Sequence, residues 1–274
     1  MSDLIYATRI IQTPDGMTAR LDPAWQGWGP IGGYIAAIAL RAAGAIAPPG
    51  HRPVTLTCQF LARGSVDPVA IEAVTCKPGS TACHNVILRQ GGSAILQAQV
   101  WTTIKGEGPD LAELAMPEVP APESLEPFTN QLKRYGHDPA GYWTLVDHRQ
   151  VDFRPPGEPD PRGCRIERWL RFARWEKTTD PFLDAIRAVL AIDTHFWAAH
   201  NRGISEFPTY IAPSLDLAVW FHCSDPASEW QLVEARSEVM GQGLMSGVAK
   251  VWSAGGKLVA SGGGQCLVVP LRTG

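Results

Sequence analysis

A single carboxylate, Asp216, interrupts the apolar run Leu215 to Phe221. A carboxylate among apolar neighbours has a raised pKa and can act as a general base toward water. A plainer expectation competes, because Asp216 follows Pro213 and Ser214 and structural carboxylates outnumber catalytic ones. A second constellation is Gly32-Gly33-Tyr34, at the head of the apolar run that continues to Ala47. Two residues without side chains let a ligand approach the N–H groups of a helix start, which favour negative charge. Here the plainer expectation is a tight turn. Asp193, in Ala191-Ile192-Asp193-Thr194-His195, reads as a cap or a member of a polar network. The seven histidines form no HExxH and no Cys–His pairing at zinc spacing, so neither metal nor cofactor is expected. No Gly-x-Ser-x-Gly elbow is present, and Gly262-Gly263-Gly264 lacks the lysine and helix of a phosphate loop.

The elements that must hold these groups follow from the apolar pattern. Residues 33–47 are alanine-rich, apolar on nearly every face and stopped by Pro48-Pro49-Gly50, which predicts a helix buried all round. Its length and Arg41 argue against a membrane span. A curved sheet can wrap such a helix, and strand-like runs at 54–61, 69–76, 84–89 and 94–101 supply an antiparallel meander. Residues 105–145 change character: Pro109, Pro117, Pro120, Pro122 and Pro127 stand among acidic residues, as in a surface linker. Strand patterns resume at 146–154 and 164–175. Asp180-Pro181 then opens a helix to about Trp197, followed by strands within 210–222, 230–239, 244–252 and 257–269. A shift of 162 residues, the distance from Glu72 to Glu234, also brings Ala73 onto Ala235, Val86 onto Val248 and Leu96 onto Leu258. The plan is therefore an α+β chain of two repeated units, 1–104 and 146–274, joined by a linker at 105–145.

Composition bounds the partners. With 45% hydrophobic and 19% charged residues the chain is globular, and a net charge of −3 gives no field for nucleic acid or an anionic membrane. Six cysteines without CxxC pairs, in a chain that opens without a basic-then-apolar signal, predict reduced thiols and a cytoplasmic location. Trp101, Trp220, Trp230 and Trp252 fall on predicted strands, where apolar sheet faces invite self-association into a homo-oligomer.

Four stretches together resemble the acyl-CoA thioesterase II family: the Gly32-Gly33-Tyr34 helix start, Gln59-Phe60-Leu61-Ala62-Arg63-Gly64, Ser214 through His222, and Gly256 through Ser261 followed by Gln265. The resemblance implies a double hotdog, two helix-in-sheet units joined edge to edge. It also implies an acyl-CoA substrate and hydrolysis by a water held by an Asp, a Ser or Thr and a Gln, without a metal. Carried over, the Asp is Asp216, the hydroxyl is Ser237 and the amide is Gln265. Ser237 and Gln265 each stand one residue beyond the family's place, where Arg236 and Gly264 fall instead. A one-residue slip sends a strand side chain to the other face, so a bulge on each strand is expected if both are to reach the site. If Arg236 displaces the hydroxyl, the implied alternative is a non-catalytic acyl-CoA-binding or scaffold protein. A hotdog hydratase or dehydratase would want a His or Glu base on the central helix. Residues 34–47 have neither, and the second helix offers Asp193 and His195.

Overall fold

The computed structural model describes residues 3–271 apart from 15, 110, 156, 174, 176 and 205–208. The first half contains α1 (Leu4–Ala7), β1 (Ile11–Thr13), β2 (Gly16–Arg20) and α2 (Gly32–Ile46). Strands β3 (Arg52–Phe60), β4 (Pro68–Lys77), β5 (Thr81–Gln90) and β6 (Ser93–Thr103) follow. Short helices α3 (Phe128–Arg134) and α4 (Tyr142–Leu145) lead into β7 (Val146–Gln150), β8 (Arg165–Phe172) and the long α5 (Pro181–Arg202). The second half closes with β9 (Tyr210–Ile211), β10 (Asp216–Phe221), β11 (Trp230–Gly241), β12 (Leu244–Ser253), β13 (Leu258–Leu267) and β14 (Val269–Pro270).

Twelve strands form one antiparallel sheet in the order β1-β2-β4-β5-β6-β3-β10-β13-β12-β11-β8-β7. The halves meet where β3 pairs with β10, Gln59 opposite Asp216 and Thr55 opposite Trp220. This is the double hotdog. On either side of the seam the strands follow one plan, β3-β6-β5-β4 and β10-β13-β12-β11. β4 and β11 begin 162 residues apart, at Pro68 and Trp230. The helices do not keep that offset: Gly32 and Pro181 are 149 apart, because the second half has a longer helix and a longer connection after it.

The helices lie side by side inside the curved sheet and share one apolar core with both halves. α2 has no charged residue except Arg41, whose guanidinium reaches the carbonyl of Ile5 at 2.5 Å. α5 starts at its expected cap, the Asp180 carboxylate accepting the Phe182 N–H at 2.8 Å, with Pro181 in the first turn. It runs to Arg202, beyond the expected end. Among the described residues no helix is long and apolar enough to cross a membrane.

The linker is more than a spacer. Trp169, Trp230, Leu232 and Trp252 form a second apolar cluster covered by Met116, Val119 and Leu125, and the Trp169 indole N–H donates to the Pro120 carbonyl at 3.0 Å. Two of the four tryptophans expected to face a partner, Trp230 and Trp252, are thus buried by the chain's own linker. Trp220 does lie open, at 49% exposure, with Val248 and Leu267 also exposed.

Candidate active site

The site is built where the two helices touch. α2 begins at Gly32 after Ile31, which offers no side-chain cap, so the first N–H groups lack acceptors within the helix. Tyr34 and Ile35 donate to the Ile31 carbonyl, which leaves Gly32 and Gly33. The acceptor for Gly33 comes from the other half: the Asp193 carboxylate on α5 takes the Gly33 N–H on Oδ2 at 2.7 Å. The other oxygen, Oδ1, accepts the Ser214 hydroxyl at 2.9 Å. Ser214 stands just before β10, bridged to Cys266 at the end of β13.

This approach requires glycine at 33 and leaves little room at 32. A Cβ on Gly33 would lie 2.9 Å from the Leu190 Cα and the Asp193 Cβ, and one on Gly32 would lie 3.0 Å from Asp193 Oδ1. Backbone on α5 cannot give way as a flexible side chain can. Gly33→Ala should therefore cost about 1–3 kcal/mol, a typical overpacking penalty, read as a lowered urea midpoint at unchanged m-value. An unchanged midpoint would show that the helices separate easily.

Burial is the largest influence on Asp193 and raises its pKa, opposed by the Gly33 N–H and the Ser214 hydroxyl. The positive end of the α2 dipole also favours the ionised form. Two buried thiols lie in the field of Asp193 and Asp216. Cys58 is raised, and Cys266 is pushed up to about 12, in both cases mainly by burial. They stay protonated at neutral pH and do not supply a nucleophilic thiolate. What remains is a partly buried carboxylate, a hydroxyl and helix N–H groups, which together can hold and deprotonate a water.

The residues expected from sequence are only partly gathered here. Gly32 and Gly33 are in the site. Tyr34 is not: its hydroxyl donates to the Ala7 carbonyl and accepts the Asp22 N–H, both at 2.9 Å, and is fully buried as a structural tie. Asp216 is close by, on the first residue of β10, but its Oδ1 is taken by the Gln265 N–H at 2.7 Å. β11 does bulge between Arg236 and Val239. The bulge buries Ser237, whose hydroxyl donates to the Ser246 carbonyl at 3.0 Å. Three strand steps separate β11 from β10, roughly 14 Å at about 4.8 Å per step. On β13 no bulge occurs at the glycines, since the ladder with β12 runs unbroken from Leu267 to Ala260. Gln265 accordingly lies exposed, one residue out of phase with buried Cys266. A Cβ on Gly264 would meet the Asp216 carbonyl at 2.5 Å and Phe196 at 3.3 Å, so that inward place is closed. Asp216, Ser237 and Gln265 therefore do not converge on one point. The two side chains that do meet are Asp193, expected as a cap or polar-network residue, and Ser214, whose one signal in the sequence is the run it shares with Asp216.

Comparison with known proteins agrees with this frame. The family model described as the acyl-CoA thioesterase C-terminal domain matches residues 115–268, and that of the N-terminal domain matches residues 21–103. The chain is similar to the crystal structure of the acyl-CoA thioesterase II TesB2 from Mycobacterium marinum, at 22% identity and a TM-score of 0.76 over 96% of this chain and 97% of that one. It is also similar to a hot dog fold protein of unknown function from Alicyclobacillus acidocaldarius, at 22% identity and a TM-score of 0.79 over 97% of each chain. The dehydratase domain of PpsC from Mycobacterium tuberculosis is more distant, at 12% identity and a TM-score of 0.52 over 95% and 97%. A comparison with curated protein sequences returned no match.

Proposed function

The chain belongs to the acyl-CoA thioesterase family, and from that premise we propose that it hydrolyses acyl-CoA to free acid and CoA with a water activated by Asp193. In this reading the Asp193 carboxylate, steadied by Ser214, takes a proton from water as the oxygen attacks the thioester carbonyl carbon. The carbon–sulfur bond breaks, the proton passes from Asp193 to the departing CoA sulfur, and the water oxygen stays in the acid. The Gly32 N–H, left without an acceptor in the first turn of α2, is the donor for the oxyanion. Burial supports the role of base, because a carboxylate with a raised pKa is a better proton acceptor.

The single observation that carries the reading is the Gly33–Asp193–Ser214 contact between the two helix units. Asp216, to which the sequence motif pointed, is the rival base. Thiol release from a panel of acyl-CoA chain lengths separates them. Asp193→Asn is expected to lose turnover and Asp216→Asn to retain kcat within a few-fold; the reverse outcome would hand the base to Asp216. Loss of hydrolysis by neither variant would remove general-base catalysis by both.

Self-association is part of the same reading. Trp220, Val248 and Leu267 expose apolar surface on neighbouring strands of the sheet, and such patches mark contacts. Light scattering after size exclusion should give a multiple of the 29.7 kDa chain mass at micromolar concentration. A monomer would contradict it.

A further inference from the structure

Among the described residues three arginines are buried. Two have carboxylates: Arg187 pairs with Asp184, and Arg202 with Asp160 at 3.1 Å. The third, Arg168 on β8, has none. Its Nη2 donates to the Gln150 Oε1 at 2.5 Å and its guanidinium stacks over Phe128, 4.2 Å from the ring centroid. Its Nε and Nη1 have no protein partner, although the residue is only 3% exposed. Beside it lie two buried histidines, His148 on β7 and His195 on α5, with ring centroids 6.2 Å apart. Neither ring nitrogen of His148 has a partner. The His195 Nδ1 lies 2.7 Å from the Ala191 carbonyl, so it carries the proton and leaves Nε2 as an unpartnered acceptor.

Five polar atoms without partners thus belong to one group of neighbouring side chains. Burial holds both imidazoles neutral, His195 down to about 3, while Arg168 is lowered only to about 9 and keeps its charge at neutral pH. The group therefore carries one uncompensated positive charge, two unused guanidinium donor nitrogens and one imidazole N–H. Stacking on Phe128 and one amide oxygen offset part of a buried guanidinium's lost hydration, but they leave those donors unmet. The cluster is also tied to the reacting carboxylate. Asp193, Thr194 and His195 are consecutive on α5, and the Tyr142 hydroxyl lies 3.2 Å from the Thr194 Oγ1. Tyr142 and Trp143 on α4 have ring centroids 5.3 and 5.1 Å from that of His148, so the end of the linker packs against the cluster.

We infer that Arg168 and His148 form a carboxylate-binding pocket, with His195 supplying an acceptor for a water or hydroxyl beside the bound group. The carboxylate has two conceivable sources: the far end of a dicarboxylic acyl-CoA whose thioester lies at Asp193, or a free acid. The first rests on the proposed thioesterase function; the second does not. A purely structural Arg168 would be indifferent to both, and its replacement by an apolar residue of similar volume would be neutral or stabilising.

The experiment pairs adipyl-CoA with hexanoyl-CoA and suberyl-CoA with octanoyl-CoA, in wild type and Arg168→Met. If the substrate tail is the ligand, wild type prefers the diacid of at least one pair by about tenfold or more in kcat/KM, as expected for a charge-assisted contact. Arg168→Met then abolishes that preference and leaves the monoacid rate within about threefold. If a free acid is the ligand, millimolar adipate raises the melting temperature of wild type and not of Arg168→Met, with no diacid preference. Hydrolysis of no thioester would sink the proposed function, and the melting arm would still decide the pocket. The inference is overturned if neither the substrate ratio nor the adipate shift depends on Arg168. Should Arg168→Met not fold, His148→Leu serves the same comparison, with the same two dependences expected.

Discussion

Asp193→Asn is expected to lower kcat for acyl-CoA hydrolysis by about 10²–10⁴-fold, the usual cost of removing a general base. Asparagine keeps an acceptor for the Gly33 N–H and nearly the same shape, but it cannot take a proton from water. The expected effect on stability has the opposite sign. Burial raises the Asp193 pKa above that of an ordinary carboxylate. Between the unfolded and folded pKa values the native state retains a proton that the unfolded chain has released, so stability falls as pH rises through that window. Above the folded pKa the whole penalty is present. A neutral asparagine escapes it, and the melting temperature at pH 7 should hold or rise. A residue serving only as a cap would show the reverse, intact turnover with a loss on the order of 1 kcal/mol. Wild-type kcat/KM should rise with pH through the Asp193 pKa and then level off. That acid limb should vanish from the residual activity of Asp193→Asn; a limb that persists would assign it to another group.

Asp184→Ala is expected to be the most damaging single change to the fold, about 3–5 kcal/mol. Asp184 and Arg187 are both buried one turn apart on α5 and bonded to each other. The second Asp184 oxygen accepts the Ser224 hydroxyl at 2.6 Å and the Asp225 N–H at 2.9 Å, so it also anchors the connection between β10 and β11. Removing it strands the Arg187 guanidinium, whose remaining contacts are the Ser228 carbonyl at 2.6 Å, the Asp225 carbonyl at 3.3 Å and the face of Trp175. The double variant Asp184→Leu with Arg187→Met removes both charges and should recover most of the loss in urea unfolding. A double variant no more stable than Asp184→Ala would place the damage in the lost anchor at Ser224 and Asp225 instead.

The fold was largely legible because its signals are local. Pro48-Pro49-Gly50 and Asp180-Pro181 bound the helices, and alternating strands set between turns announce a meander. The longer reach of α5 lay beyond such signals, since no glycine or proline stops it before Gly203. The site was harder to read because its central contact joins residues 160 apart. Asp193 reads as a cap from its sequence, and it is one, but of the other helix. A motif in which Ser214 and Asp216 lie two apart does not say which of them turns toward α5. Gln265 shows the limit of matching by type: a glutamine one place along a strand lies on the wrong face.

The seam between β3 and β10 has a consequence for biosynthesis. β3 can complete its hydrogen bonding only after β10, more than 150 residues later, has left the ribosome. At about 5–20 residues per second that is an interval of roughly ten seconds or more. During it the first unit presents an open strand, Thr55 to Gln59, with nothing to cover it but another chain. Fragments ending near residue 104 should therefore pair with themselves or aggregate, and slow elongation between the halves should lower the yield of soluble protein. Joining two units in one polypeptide turns a contact that separate chains would have to find by collision into one found at high effective concentration. The waiting edge is the vulnerability that accompanies that gain.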